Sequence, residues 1–173
     1  MLERTGNGWK AAALDAIPPD WEQPVGSARL TEDEAYELVV ARDPGAGERW
    51  REFEQAWPDI WERFRDHGIR RYFGLRAFGV AAFTSQAGDP AIVPHSEAMY
   101  GYDQEELYVV LRGRARFRLG DDTFEVDQGG MVFVRPEIYR EAFALATPTT
   151  LLVIGGVPGH AYNPPPFQLD HDS

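Results

Sequence analysis

Cysteine is absent from all 173 residues. That excludes disulfides, thiolate zinc sites and a cysteine nucleophile, and it fits a reducing, cytoplasmic setting. Long apolar runs are also missing. The longest, such as 108–111 and 151–154, fall far short of the roughly 20 residues that span a bilayer, so no membrane partner is expected. The opening Met1-Leu2-Glu3-Arg4-Thr5 has no apolar signal core. Positive charge is scarce: 17 Lys and Arg stand against 28 Asp and Glu, a formal net charge of −11. A chain so acidic repels phosphate backbones, so nucleic acid is not an expected partner. No internal repeat or low-complexity tract is evident. What the chain does have is 43% hydrophobic residues and enough length for one domain with its own core.

Three zones divide the sequence: an N-terminal arm and helical segment over 1–68, a β-rich zone over 69–158, and a Pro-rich tail over 159–173. The arm is mostly irregular, with a short strand expected within 10–16 and stopped by Pro18-Pro19. Thr31-Glu32-Asp33-Glu34 reads as a capping box opening a helix that runs to about Arg42 and stops before Pro44-Gly45. A second helix over 47–57 places Ala46, Trp50, Phe53 and Trp57 on one face. Pro58 suits the first turn of a third helix carrying Ile60, Trp61 and Phe64 inward. His67-Gly68 ends that helix, with Gly68 in a left-handed cap. These helices read as a cover on a β core or as a dimer contact.

From residue 69 onward the chain is strand and turn. Strands are expected over 70–84 and 91–99, then a hairpin of 106–111 and 114–119 turning at Arg112-Gly113. Further strands follow the turns at Gly120-Asp121-Asp122 and Gln128-Gly129-Gly130, with two more over about 140–146 and 149–155. Arg112, Arg114, Arg116 and Arg118 alternate with Ala115, Phe117 and Leu119. That is the period of a half-buried strand, and its arginines read as a solvated outer stripe. Short strands at even spacing suggest a sandwich or barrel.

The stretch 105–113, Glu-Glu-Leu-Tyr-Val-Val-Leu-Arg-Gly, resembles the core of the first motif of the cupin superfamily, with six residues between Glu106 and Gly113. The strand 114–119, the Gly120 turn and Gly129-Gly130-Met131-Val132-Phe133-Val134 extend the resemblance over about 70–156 to the small conserved-barrel type. It implies a mainly β jelly-roll barrel with the helical segment packed on it. Members typically hold a divalent metal through two histidines and a glutamate of the first motif and one histidine of the second. Here one register puts the His-x-His positions on Tyr100 and Tyr102. A second, preferred register puts them on His95 and Glu97, with a longer loop to Glu106. The second-motif histidine position falls on Arg140, which keeps its proton and does not normally ligate metal. The metal motif is therefore degenerate.

Several functions stay open at this stage. One is a barrel that binds a small organic molecule, with Tyr100, Tyr102, Tyr108 and Arg140 as candidate ligand-binding residues. Arg140 would either pair with Glu106 or Glu97, or receive an acidic ligand. A second is an enzyme. It is either a metal-dependent oxygenase or isomerase using His95, Glu97 and Glu106 around a first-row divalent ion, or a metal-free lyase or cyclase using His95 and Glu106 as acid and base. The cofactor is thus a divalent first-row metal or none. A third is a regulatory or assembly role for the helical segment. A homodimer is expected because barrel edges and an aromatic cover invite pairing.

Overall fold

A computed structural model describes residues 3–19, 22, 32–101 and 103–162. The chain opens with a hairpin of β1 (Glu3–Gly6) and β2 (Trp9–Ala12) and a 3-10 turn at Leu14–Ala16. Helices α1 (Glu32–Arg42) and α2 (Pro44–Ala56) and the single turn α3 (Ile60–Arg63) follow. Thr31 of the expected capping box lies outside the described residues. The break before Pro44 is present, but α2 starts at Pro44 itself. Asp43 caps it, its Oδ1 accepting from the amides of Gly45 (3.0 Å) and Ala46 (3.2 Å). Proline fits the first turn because no intrahelical bond is lost there.

The remaining elements are β3 (Arg65–His67), α4 (Ile69–Phe73), β4 (Gly79–Ser85), β5 (Pro90–His95), α5 (Glu97–Tyr100), β6 (Glu105–Arg112), β7 (Arg114–Leu119), β8 (Asp122–Asp127), β9 (Met131–Val134), β10 (Arg140–Ala144) and β11 (Thr149–Gly156). They form two antiparallel sheets, ordered β5-β10-β7-β8 and β3-β4-β11-β6-β9. From β4 to β11 the chain crosses between the sheets after nearly every strand. Only β7 and β8 are consecutive within one sheet. This is the double-sheet jelly roll, so the mainly β fold class expected from the resemblance is present.

Four local expectations change. Arg112-Gly113 closes no hairpin, because β6 and β7 lie in opposite sheets. Gly113, at φ 77°, turns the chain across the sandwich; a Cβ there would stand 2.7 Å from the Pro148 carbonyl oxygen. His67-Gly68 ends a strand rather than a helix, and Gly68 has φ −71°. The left-handed cap belongs to Gly74, at the end of α4, a helix inside the strand expected over 70–84. Finally, β5 stops at His95. Ser96 then caps α5 by accepting from the Met99 amide at 3.2 Å, so Glu97 begins a helical turn instead of extending the strand.

The interior between the sheets is apolar at one end. Tyr108, Val110, Ala115, Phe117, Leu151 and neighbouring residues form one buried cluster. Phe53, Ile60 and Phe64 from α2, α3 and the following residue form a second, packed on Phe83 and Val93, with Trp50 and Trp57 flanking it. The aromatic helices are thus a cover on the barrel, as their spacing suggests. The side chain of Trp61 is not described.

The outer faces of the two sheets differ. On β7 the arginines are exposed and paired: Arg114 with Glu125 (2.6 Å) and Asp127 (3.2 Å), Arg116 with Glu125 (2.9 Å), Arg118 with Glu141 (2.5 Å). The other sheet carries two apolar rungs across four strands. One is Val80–Ile154–Leu107–Phe133; the other is Ala82–Leu152–Val109–Met131.

Candidate functional site

Four charged side chains meet at one end of the interior. Strand pairing brings them there: His95 ends β5 and pairs with Arg140 at the start of β10, while Glu106 lies on β6 in the facing sheet. Glu97 turns back toward His95 from α5. His95 Nε2 lies 3.4 Å from Glu97 Oε1 and 3.7 Å from Glu106 Oε2. Arg140 Nη1 lies 3.8 Å and 3.4 Å from the same two oxygens. Two cationic groups therefore straddle two carboxylate oxygens.

Each member is held from behind. His95 Nδ1 lies 2.7 Å from the Val93 carbonyl oxygen, which makes Nδ1 a donor and turns Nε2 to the carboxylates. Tyr108 donates its hydroxyl to Glu106 Oε2 in a short hydrogen bond. Gln104 donates to Glu97 Oε2 at 3.2 Å. Arg140 Nη2 donates to the Arg135 carbonyl at 2.6 Å, and the Ala98 amide donates to the Pro136 carbonyl at 3.1 Å. Arg140 and α5 are thus fastened to the same loop. Gly155, paired with Glu106, leaves room: a Cβ there would stand 3.0 Å from Gln104 Oε1 and 3.4 Å from Glu106 Cγ.

Burial is uneven. Arg140 and Tyr108 are each 1% exposed. The side chains of His95 and Glu106 each keep 12%, so solvent reaches the cluster from their side. Burial alone would lower the pKa of His95, but Glu106 and Glu97 outweigh it and raise the pKa to about 9. Burial pulls Glu106 upward, and His95, Arg140 and the Tyr108 hydroxyl together bring it below the usual carboxylate range. Burial, aided by Glu106, pushes Tyr108 well up. At neutral pH His95 is therefore an imidazolium beside the ionised Glu106.

The donor set resembles a metal site, since one ligand atom each from His95, Glu97 and Glu106 lies within 4.8 Å of the others. The charge does not fit. An ion about 2.1 Å from Glu106 Oε2 would share that oxygen with the permanent Arg140 cation, which already faces both carboxylates. Arg140 Nη1 has no aligned acceptor, nor has Nε, among the described residues. The guanidinium is therefore held mainly by Coulomb attraction and its carbonyl contacts. While Arg140 keeps this position, the residues present do not fit a resident divalent ion.

Of the residues singled out from sequence, His95, Glu97, Glu106, Tyr108 and Arg140 come together. Tyr100 is described only as the last residue of α5, and Tyr102 lies outside the described residues. Gln104 was missed: it is a buried amide just before a strand, with no motif to mark it.

No family model and no curated protein matches the chain. Solved structures similar to it include a cupin protein from Bacteroides fragilis (20% identity, 58% of this chain and 81% of that one, TM-score 0.48). Another is an RmlC-like cupin protein from Desulfovibrio desulfuricans (22%, 55% and 83%, TM-score 0.44). A third is KdgF from a Halomonas species (12%, 56% and 81%, TM-score 0.45). These are likenesses of shape over about half the chain. The strand order is what defines this protein as having a double-sheet jelly-roll fold. No helix among the described residues is long and apolar enough to cross a membrane.

Proposed function

We propose that the protein binds a small organic molecule at the end of the barrel where His95 and Glu106 remain open to solvent, without a resident metal. The supporting observation is Arg140, a fully buried cation paired with both carboxylates that an ion would need. Convergent polar groups at the end of an otherwise apolar interior are the usual makings of a ligand site.

The test has two parts. Elemental analysis after incubation with Mn, Fe(II), Ni or Zn should give well under one equivalent for the wild type, and a gain toward one equivalent for Arg140→Ala. A stoichiometric metal in the wild type, lost in His95→Ala, would overturn the metal-free reading. Mass spectrometry of small molecules released from freshly purified protein should find a bound organic compound that is lost in Glu106→Gln. Its absence in every preparation would overturn ligand binding.

The Tyr108–Glu106–His95 chain favours a second reading, metal-free proton transfer. His95, protonated at neutral pH, would be the acid and Glu106 the base. A cytoplasmic protein without nucleic-acid or membrane partners is the accompanying expectation, resting on the cysteine-free, acidic composition and the lack of long apolar runs, and a homodimer is expected from the barrel edges and aromatic cover.

A further inference from the structure

A second buried histidine lies away from the ionic cluster. His67 is 1% exposed, yet it sits on the outer face of the edge strand β3, in register with Ala82, Leu152, Val109 and the exposed Met131. Over that end of the face runs a strap of chain, residues 14–18, made of the 3-10 turn and the two residues after it. Two hydrogen bonds to its backbone fasten it. Arg65 Nη2 donates to the Asp15 carbonyl at 2.8 Å, and the Gly68 amide donates to the Pro18 carbonyl at 3.1 Å. Ile17 is buried. Upstream, Lys10 Nζ donates to the Tyr72 carbonyl at 3.0 Å and the Tyr72 hydroxyl donates to Glu3 at 2.6 Å, so the β1–β2 hairpin is tied separately to α4.

His67 is poorly equipped to carry a charge in this place. Its Nε2 lies 3.1 Å from the Thr84 hydroxyl, which lies 3.0 Å from that of Thr150. Its Nδ1 has no hydrogen-bond partner among the described residues. A neutral ring has one N–H to place, whereas an imidazolium has two. The charged groups that bear on the ring are Arg65, on its own strand, and Asp15, on the strap. β4 and β11 face it with the neutral Thr84 and Thr150. Burial and then Arg65 pull its pKa below the ordinary 6.5, against the smaller pull of the nearby Ile17 and Leu14 carbonyls and of Asp15.

We propose that His67 is an acid-operated latch: charging its ring lifts residues 14–18 from the face and leaves the sheet paired. Above about 6.5 the ring is neutral whether the strap is closed or open, and the strap holds. Below it the open form binds the proton more readily than the closed one, so closure weakens as pH falls.

Amide exchange followed by NMR from about pH 7.5 to 5 tests this, each rate being corrected for its intrinsic dependence on pH. Protection of the Gly68 amide, which rests on the Pro18 carbonyl, should fall severalfold over that range. The His67 ring should titrate below 6.5 in the same interval. Amides of β11 should keep their protection, which separates release of the strap from unfolding. His67→Gln keeps a donor for Thr84 and cannot charge, so Gly68 protection should become flat with pH. The wild-type readouts decide the matter even if that variant fails to fold. Gly68 protection that is flat in the wild type, a His67 midpoint at or above 6.5, or β11 losing protection in step would overturn the inference. So would a pH dependence that survives His67→Gln. None of these readouts depends on what the barrel binds, so the two proposals stand or fall separately.

Discussion

The two ends of the barrel interior are built from the same strands and obey opposite rules. At one end Phe117 of β7, Val110 of β6 and Leu151 of β11 pack as a dry cluster. At the other, Arg140 of β10 and Glu106 of β6 are held with His95 and Glu97 in an ionic knot. The dry end gains from removing apolar surface from water. The ionic end loses hydration and recovers it through mutual attraction, a balance that often comes out near zero. The first end therefore reads as stability and the second as a place kept for function.

The largest effects should come from spoiling each end in its own way. Arg140→Met leaves two buried carboxylates without their permanent cation and should cost about 3–5 kcal/mol in urea unfolding at neutral pH. Phe117→Ala should cost a similar ~3–5 kcal/mol through lost burial and a cavity. The contrast lies in the cure. Adding Glu97→Leu and Glu106→Leu to Arg140→Met should return most of the loss, because both buried carboxylates are gone and His95, without them, is left by burial to shed its proton. If the triple variant is no more stable than the single, the knot contributes stability outright and the comparison fails.

Next in size is a pH effect. The folded pKa of His95 is raised from 6.5 to about 9, so the folded state binds this proton more tightly than the unfolded chain. That contribution is fully present below about 6.5 and is lost as pH rises through about 9. It is worth about 3 kcal/mol on the scale of 1.36 per pKa unit. Melting curves from pH 6 to 10 should show the decline, and His95→Gln should flatten it. Glu106 has the opposite sign: its lowered pKa stabilises above the ordinary carboxylate range and is lost on acidification. A titration of the His95 ring by NMR with a midpoint at or below 6.5 would show that the carboxylates do not hold the proton.

Gly155→Val should cost about 1–3 kcal/mol, because its side chain would crowd Gln104 and Glu106. The loss should be accompanied by a shifted His95 titration. The smallest effect belongs outside the barrel. Arg116→Ala removes an exposed ion pair with Glu125 and should stay within about 0.5 kcal/mol. A larger loss would mean the charged outer face carries structure of its own.

Much of the site was legible because strand alternation is rigid. Glu106 and Tyr108 are two apart on β6 and share its inner face, and the jelly-roll resemblance directed His95 and Arg140 into the same interior. Glu97 was reached for the wrong reason, since Ser96 ends the strand and a helical turn, not the pleat, points Glu97 inward. The β6 to β7 connection misled because a glycine with positive φ serves a hairpin and a sheet-crossing corner equally well. Gln104 and the carbonyls of Val93, Arg135 and Pro136 were invisible, because backbone acceptors and lone amides leave no pattern in a sequence. The apolar outer rungs were written plainly in the unbroken runs of β6, β9 and β11, but only the strand registers line them up across the sheet.

The position of β11 has a consequence for biosynthesis. It is the last strand among the described residues, yet it lies inside its sheet, between β4 and β6. A nascent chain on the ribosome can assemble β7 and β8 early, but β4 and β6 have no shared partner until residues 149–156 have emerged. Folding of the barrel is therefore deferred until β11 has emerged, and a product truncated before Thr149 would present two unpaired strand edges to the cell's quality control.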